Sequence, residues 1–182
     1  MSPLLRAPLS TAYALLGFVH QGPLHGYEIY RRLTDTPELQ AVWRIKQSHL
    51  YALLSRLEGE GLLRAELEIQ DTRPPRKVYH LTTTGAQAFD RWLAEPVTIP
   101  REMRLDFMLK LYFALRDGHG QRTAVRLIRR QQDMCDEWLA TQETGKENST
   151  AYLLAVRRYR LSHIGAIREW LRSLLDDPVE MV

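Results

Sequence analysis

The chain has 182 residues, 45% hydrophobic and 26% charged, with a formal net charge of +3. That is an ordinary soluble globular composition, long enough for one large domain or two small ones. The single cysteine, Cys135, excludes an intrachain disulfide and a multi-cysteine zinc site, and points to a reducing cytoplasm.

Ser10 precedes an apolar helical pattern at Ala12, Leu15, Leu16 and Val19. "LSTAYALLGFV" imitates a signal peptide, but it is too short to span a bilayer and no small-residue cleavage site follows it. It reads as a buried first helix. No other uncharged apolar run has membrane-spanning length, so no membrane partner is expected. Gly22-Pro23 ends this helix, and a second is expected from about His25 to Thr36, stopped by Pro37. At its start His25 suits the cap, and Glu28, three residues on, can reach back as in a capping box. Gly26 either lets a foreign backbone approach the helix start or makes room for a neighbouring helix. Tyr27 either offers its hydroxyl or fills the core.

"AVWRIKQ" reads as an extended connector. Ser48 then suits the cap of a third helix with a stripe of Leu50, Leu53, Leu54 and Leu57, and Gly61 suits its left-handed terminus. The period next changes from helix to strand. "LLRAELEI" and "KVYHLT" flank "QDTRPPR", which reads as a hairpin around a proline-containing loop. Thr82 to Thr84 open a fourth helix, closed by Pro96. Past the linker "PVTIP" the pattern is helical throughout: a buried helix in "RLDFMLKLYFALR", a long one over about 121–142, and a last one over about 150–175. In the last helix Tyr152, Val156, Tyr159 and His163 recur at helical spacing, a face that calls for partner helices. No internal repeat or low-complexity tract is present.

Three helices followed by a hairpin is the order of a winged helix-turn-helix, whose third helix enters the DNA major groove and whose hairpin is the wing. The charge distribution agrees. Between Gln40 and Arg56 the charged residues are Arg44, Lys46 and Arg56; between Thr72 and His80 they are Arg73, Arg76 and Lys77; neither stretch holds an acid. Exposed positive charge at those points is what phosphate neutralisation needs, although basic loops are also common solvated surface. Gln47, Ser48, His49 and Tyr51 offer donors and acceptors to phosphates or base edges. Ser48 could equally serve only as a cap, and Tyr51 could pack in the core.

"ALLGFVHQGPLHGYEIYRRL", "KQSHLYALLSRLEGEGLL" and "RPPRKVYHLTTTG" together resemble the PadR family of transcriptional regulators. The resemblance spans about residues 10 to 95, and is looser from Arg104 onward. It implies a mostly α fold with a small β-hairpin: a winged-helix DNA-binding domain at 1–95 and a helical dimerisation domain, the candidate effector-binding part, at 96–182. It further implies a homodimer on an inverted-repeat operator, a repressor released by a small aromatic or hydrophobic effector. Family DNA contacts carry over to Tyr27, Ser48, Tyr51, Arg76 and Lys77. In one common form of the family, small residues and a proline flank the Leu-Tyr pair. Here His49 and Ala52 flank it, so an operator sequence cannot be borrowed from a relative.

For an effector, Trp138, Trp170, Met134, Tyr152 and Tyr159 in the last two helices, and Trp92 beside the linker, are the aromatic and soft candidates. Aromatics at helical spacing are also ordinary core or interface. Enzyme readings find little. Cys135 lies on an apolar stripe and packs as a small hydrophobe. His20, His25, His49, His80, His119 and His163 show no metal-ligand spacing, and "GHG" is too short to cradle a phosphate. Glu58 and Glu60 read as solvated helix surface. No cofactor or metal is expected. The competing readings are a winged-helix protein-interaction module and a small-molecule sensor that does not bind DNA.

Overall fold

The computed structural model describes residues 9–70, 73–118, 120–143 and 150–176. They form two compact units. The first holds the described residues up to 93 together with 104–113; the second holds 94–103 and the described residues from 114 onward. The first unit thus extends past the linker that marks the sequence boundary.

In the first unit α1 (Leu9–His20) is followed by a two-residue strand, β1 (Leu24–His25), and then α2 (Gly26–Asp35). A short helix, α3 (Pro37–Val42), follows at once. Pro37 therefore starts a helix rather than merely stopping one. Its fixed φ and missing N–H suit a first helical turn, and the extended Thr36 ends α2 and caps α3. Next come α4 (Gln47–Gly59), β2 (Leu63–Gln70), β3 (Arg73–Leu81) and α5 (Thr83–Ala94). Gly61 takes the left-handed conformation expected of it, with φ 73°.

The hairpin is longer and tighter than its sequence suggests. Pro74 and Pro75 lie inside β3, so the expected proline-containing loop is largely strand; residues 71–72 lie outside the described residues. The ladder slips between Glu68 and Gln70, alongside those prolines. Among the described residues the sheet is antiparallel with order β1-β3-β2. Leu24 pairs with Tyr79 and His25 with Val78.

The core of this unit gathers the inward faces of these helices. Leu15, Leu16, Ile29, Leu33, Leu50, Leu54 and Leu57 are at most 1% exposed. Side chains this size each contribute about 1.5–3 kcal/mol when fully buried. Two close approaches require glycine. A Cβ on Gly85 would meet the Leu62 carbonyl oxygen at 2.0 Å, so no other residue lets α5 dock on the start of β2. A Cβ on Gly26 would meet Tyr51 Cε1 at 2.6 Å. Thr82 caps α5 through its hydroxyl, which accepts from Gly85 N–H at 2.9 Å.

Residues 104–113 join this unit through buried polar groups. Helix α6 (Asp106–Arg116) places Asp106 and Lys110 at 4% and 3% exposure. Ser10 donates to Asp106 at 2.5 Å, and the Trp92 indole N–H lies 3.1 Å from both Asp106 and Ser10. Lys110 donates to the Trp92 carbonyl and sits 4.8 Å from its ring centroid. Each buried charge has a partner, as burial demands.

The second unit holds most of a 3-10 turn (Pro100–Arg104), then α7 (Gly120–Glu143) and α8 (Ala151–Asp176). The fully buried Gln131 accepts from Val97 N–H at 2.8 Å and donates to its carbonyl at 3.1 Å, completing both backbone groups of a linker residue. Arg168 pairs with Asp136 at 2.8 Å, tying α8 to α7. Ile164 and Leu171 are buried on that side, whereas Tyr152, Leu153, Leu154 and Tyr159 are exposed. No described helix is long and apolar enough to cross a membrane.

Candidate nucleic-acid interface

The third helix expected from the sequence is α4. Its first turn holds no acid, and its N-cap is Lys46 rather than Ser48, with no side-chain cap hydrogen bond. Ser48 therefore stands inside the first turn, free of capping duty. Lys46, Gln47, Ser48, Tyr51 and Ala52 are exposed and His49 is partly so, while Leu50, Leu53, Leu54 and Leu57 face the core. An exposed, uncapped helix start with amide N–H groups and a positive dipole end suits phosphate.

Beside it lies the start of α2. Glu28 reaches back to accept the His25 backbone N–H at 2.9 Å, completing that half of the expected capping box. The His25 side chain is placed toward the Glu28 backbone N–H as the other half of the box requires, although its buried Nδ1 makes no hydrogen bond among the described residues. Gly26 serves the neighbouring helix: its missing side chain is where the Tyr51 ring sits. Tyr27 is 55% exposed and does not fill the core. The two tyrosines thus flank one helix start on the accessible surface.

The basic residues divide into two groups. Arg44, Lys46 and Arg76 have no acidic partner among the described residues. Arg56 pairs with Glu60 at 2.9 Å, and Lys77 with Glu58 at 2.9 Å. Hydrogen bonding to Glu58 raises the Lys77 ammonium above its ordinary pKa. Glu58 and Glu60 are therefore engaged acids rather than idle surface. The Arg56–Glu60 pair was foreshadowed by its spacing of four on one helix; the contact of Glu58 with the wing had no local signal. The side chain of Arg73 lies outside the described residues.

The aromatic candidates separate as well. Trp92 belongs to the core of the first unit, 4% exposed, with its N–H engaged. Trp138 and Tyr159 line one cavity of about 430 Å³ in the second unit, with Ile99, Arg101, Arg160 and His163. Trp138 N–H donates to the Thr98 carbonyl at 3.0 Å, and Tyr159 stacks on His163 at 5.8 Å. Met134, Tyr152 and Trp170 do not line that cavity. His119 lies outside the described residues. Among the described residues no cluster of His, Cys, Asp or Glu could hold a metal.

Helices packed around an exposed α4, with a β-ribbon beside it, define a winged helix-turn-helix. Residues 15–91 match the model of the Transcriptional regulator PadR-like family. The chain is similar to the Negative transcriptional regulator PadR of Bacillus subtilis, 38% identical over 101 residues, covering 56% of this chain and 54% of that protein. It is also similar to "Probable transcriptional regulator Rv1176c" of Mycobacterium tuberculosis, 28% identical over 96 residues, covering 53% and 50%. The match thus spans about half the length of these curated relatives. Among solved structures, Bacillus subtilis PadR in complex with operator DNA aligns with a TM-score of 0.46 and 28% identity, over 90% of this chain and 97% of that one.

Proposed function

We propose that the protein is a sequence-specific DNA-binding transcriptional regulator, a homodimeric repressor that acts on the chromosome in the cytoplasm. Residues 1–95 are its DNA-binding part and 96–182 its dimerisation part. Helix α4 enters the major groove, with Gln47 and His49 toward base edges and Lys46, Ser48, Tyr51 and Tyr27 toward phosphates. The β2–β3 ribbon is the wing, with Arg73 and Arg76 toward the backbone. Arg56 and Lys77, which the sequence also offers to phosphate, each already hold an acid and stand behind these contacts. The exposed face of α8, with Tyr152, Leu153 and Leu154, is covered by the second protomer, which sets the half-sites of an inverted repeat about 34 Å apart. A small aromatic effector in the cavity lined by Trp138 and Tyr159 releases the operator.

The observation that carries this reading is the acid-free, uncapped and exposed first turn of α4. The 38% identical relative is named a negative transcriptional regulator, which favours repression. The test is a mobility shift with the DNA upstream of the protein's own gene, over a salt series and against random competitor. Specific binding that weakens steeply with salt is expected. Absence of any shift at low salt overturns the reading and returns the fold to a protein-interaction module or a DNA-independent sensor.

A further inference from the structure

A surface that meets a polyanion ought to shed carboxylates, yet besides Glu66, held by Arg64 and His80 on the ribbon itself, two acids reach between the wing and the body of the unit. Glu58, near the end of α4, accepts from Lys77 Nζ at 2.9 and 3.3 Å, one bond to each carboxylate oxygen. Glu68, on β2, stands 3.2 Å from Nε2 of His25, the residue that leads into α2.

The two contacts grip the ribbon from opposite faces. Lys77 lies across the ladder from Leu67, and Arg76 across from Glu68. Neighbouring residues of a strand point to opposite faces, so the Leu67–Lys77 rung looks toward α4 and the Glu68–Arg76 rung looks toward His25. Both contacts also fall where apolar packing ends. Leu63 and Tyr79 are 2% and 3% exposed, whereas Leu67 and Ile69 are 68% and 83% exposed. Beyond these rungs the ladder slips, between Glu68 and Gln70. The distal ribbon therefore leaves the body of the unit without a hydrophobic footing, and the two polar contacts stand where packing stops.

We propose that Glu58 and Glu68 are positioning residues for DNA binding: they clamp the wing between α4 and the start of α2, and operator affinity depends on them despite their sign. This rests on the regulator reading above. A ribbon already held at its working angle loses less freedom on binding than a loose one. Lys77 is then a strut, and Arg76, one residue away and without an acidic partner among the described residues, is the wing's phosphate contact.

The sign of one substitution separates this from simple electrostatics. Removing an acid beside DNA ordinarily raises affinity. The clamp predicts a loss, of about two- to fivefold, since an exposed pair is worth at most about fivefold in an equilibrium constant. Fluorescence anisotropy of the full chain is measured with its own upstream operator fragment and with random duplex of equal length. The variants are Glu58→Gln, Glu68→Gln, Lys77→Met, the Glu58→Gln/Lys77→Met double, and the swap Glu58→Lys/Lys77→Glu.

Each single variant should weaken operator binding, the double should be no weaker than Lys77→Met, and the swap should recover to within about twofold at unchanged net charge. Hydrogen exchange of the free protein should quicken at the Leu67 and Lys77 rungs in Glu58→Gln and stay unchanged in the α1–α5 core. If Glu58→Gln binds more tightly, while Lys77→Met binds more weakly with a shallower salt slope, Lys77 is a phosphate contact and the clamp is refuted. Unchanged exchange at those rungs refutes it without reference to DNA. Wild-type protein that binds neither duplex, with exchange altered as expected, overturns the regulator reading and leaves the clamp as wing architecture alone.

Discussion

Gly26→Ala probes the joint between the two helices on which the interface depends. A Cβ at Gly26 would stand 2.6 Å from Tyr51 Cε1, 3.2 Å from Tyr51 Cζ and 3.4 Å from Leu54 Cδ1. Carbon atoms rest about 3.5–4.0 Å apart, so the ring must retreat by about 1 Å while Leu54 scarcely has to move. Tyr51 is 38% exposed and has room to swing outward. The cost should therefore fall in the lower part of the overpacking range, about 1–2 kcal/mol. In a Tyr51→Ala background the obstruction is gone. Gly26 is not among the glycines with positive φ, so alanine fits its backbone and stabilises by about 0.4–1 kcal/mol through the unfolded chain. The same substitution should change sign between backgrounds, a coupling of about 1.4–3 kcal/mol. Urea unfolding of the four proteins, followed by tryptophan fluorescence, measures it. An equal loss in both backgrounds would show that the ring is not what the glycine accommodates.

Three further outcomes are expected. Asp106→Ala removes the carboxylate shared by Ser10, Trp92 and the buried Lys110, and should cost about 3–5 kcal/mol in thermal or chemical unfolding; an unchanged midpoint would contradict the buried network. Burial pushes the Cys135 thiol up to about 11 from 9.0, so in the native protein at pH 8 it should resist a thiol reagent until denaturant is added. A raised folded pKa also means that this stabilising contribution is intact below about pH 9 and fades as pH climbs through about 11, which urea midpoints at alkaline pH will report. Tyr27→Phe should leave stability within about 0.5 kcal/mol, because the side chain is 55% exposed, and weaken operator binding by about 0.5–1.5 kcal/mol if the hydroxyl meets a phosphate; undiminished affinity would reduce Tyr27 to architecture.

Periodicity made the long elements legible. The stripe Leu50, Leu53, Leu54 and Leu57 turns inward as its spacing requires, and the strand alternation of β2 survives as far as Leu63 and Ala65. Short or irregular elements escaped. Two residues of β1 are too few to show a period, and Pro37 carries two meanings, stop and start, that only the extended Thr36 distinguishes. A proline pair usually argues against a strand, so 74–75 passed for a loop. Trp92 looked available because it lies next to the linker in sequence. Its burial depends on Asp106 and Lys110 returning from beyond that linker, and charged residues gave no hint that they would be buried. Tyr27 stayed ambiguous because a helical aromatic fits either face, and its 55% exposure places it outside.

The adjacent prolines of β3 have a consequence beyond the shape of the hairpin. Backbone amides of consecutive strand residues point to opposite edges, so one proline deletes a donor toward β2 and the other deletes one toward the outer edge. The first loss coincides with the ladder slip between Glu68 and Gln70. The second falls where β3 has outrun its other neighbour, because β1 pairs only as far as Val78. A bare strand edge is a template for stacking one wing on another molecule's wing. The missing donor interrupts that template along β3 only, so at the wing the edge open to another copy is the outer edge of β2, which has no proline and carries the exposed Leu67 and Ile69.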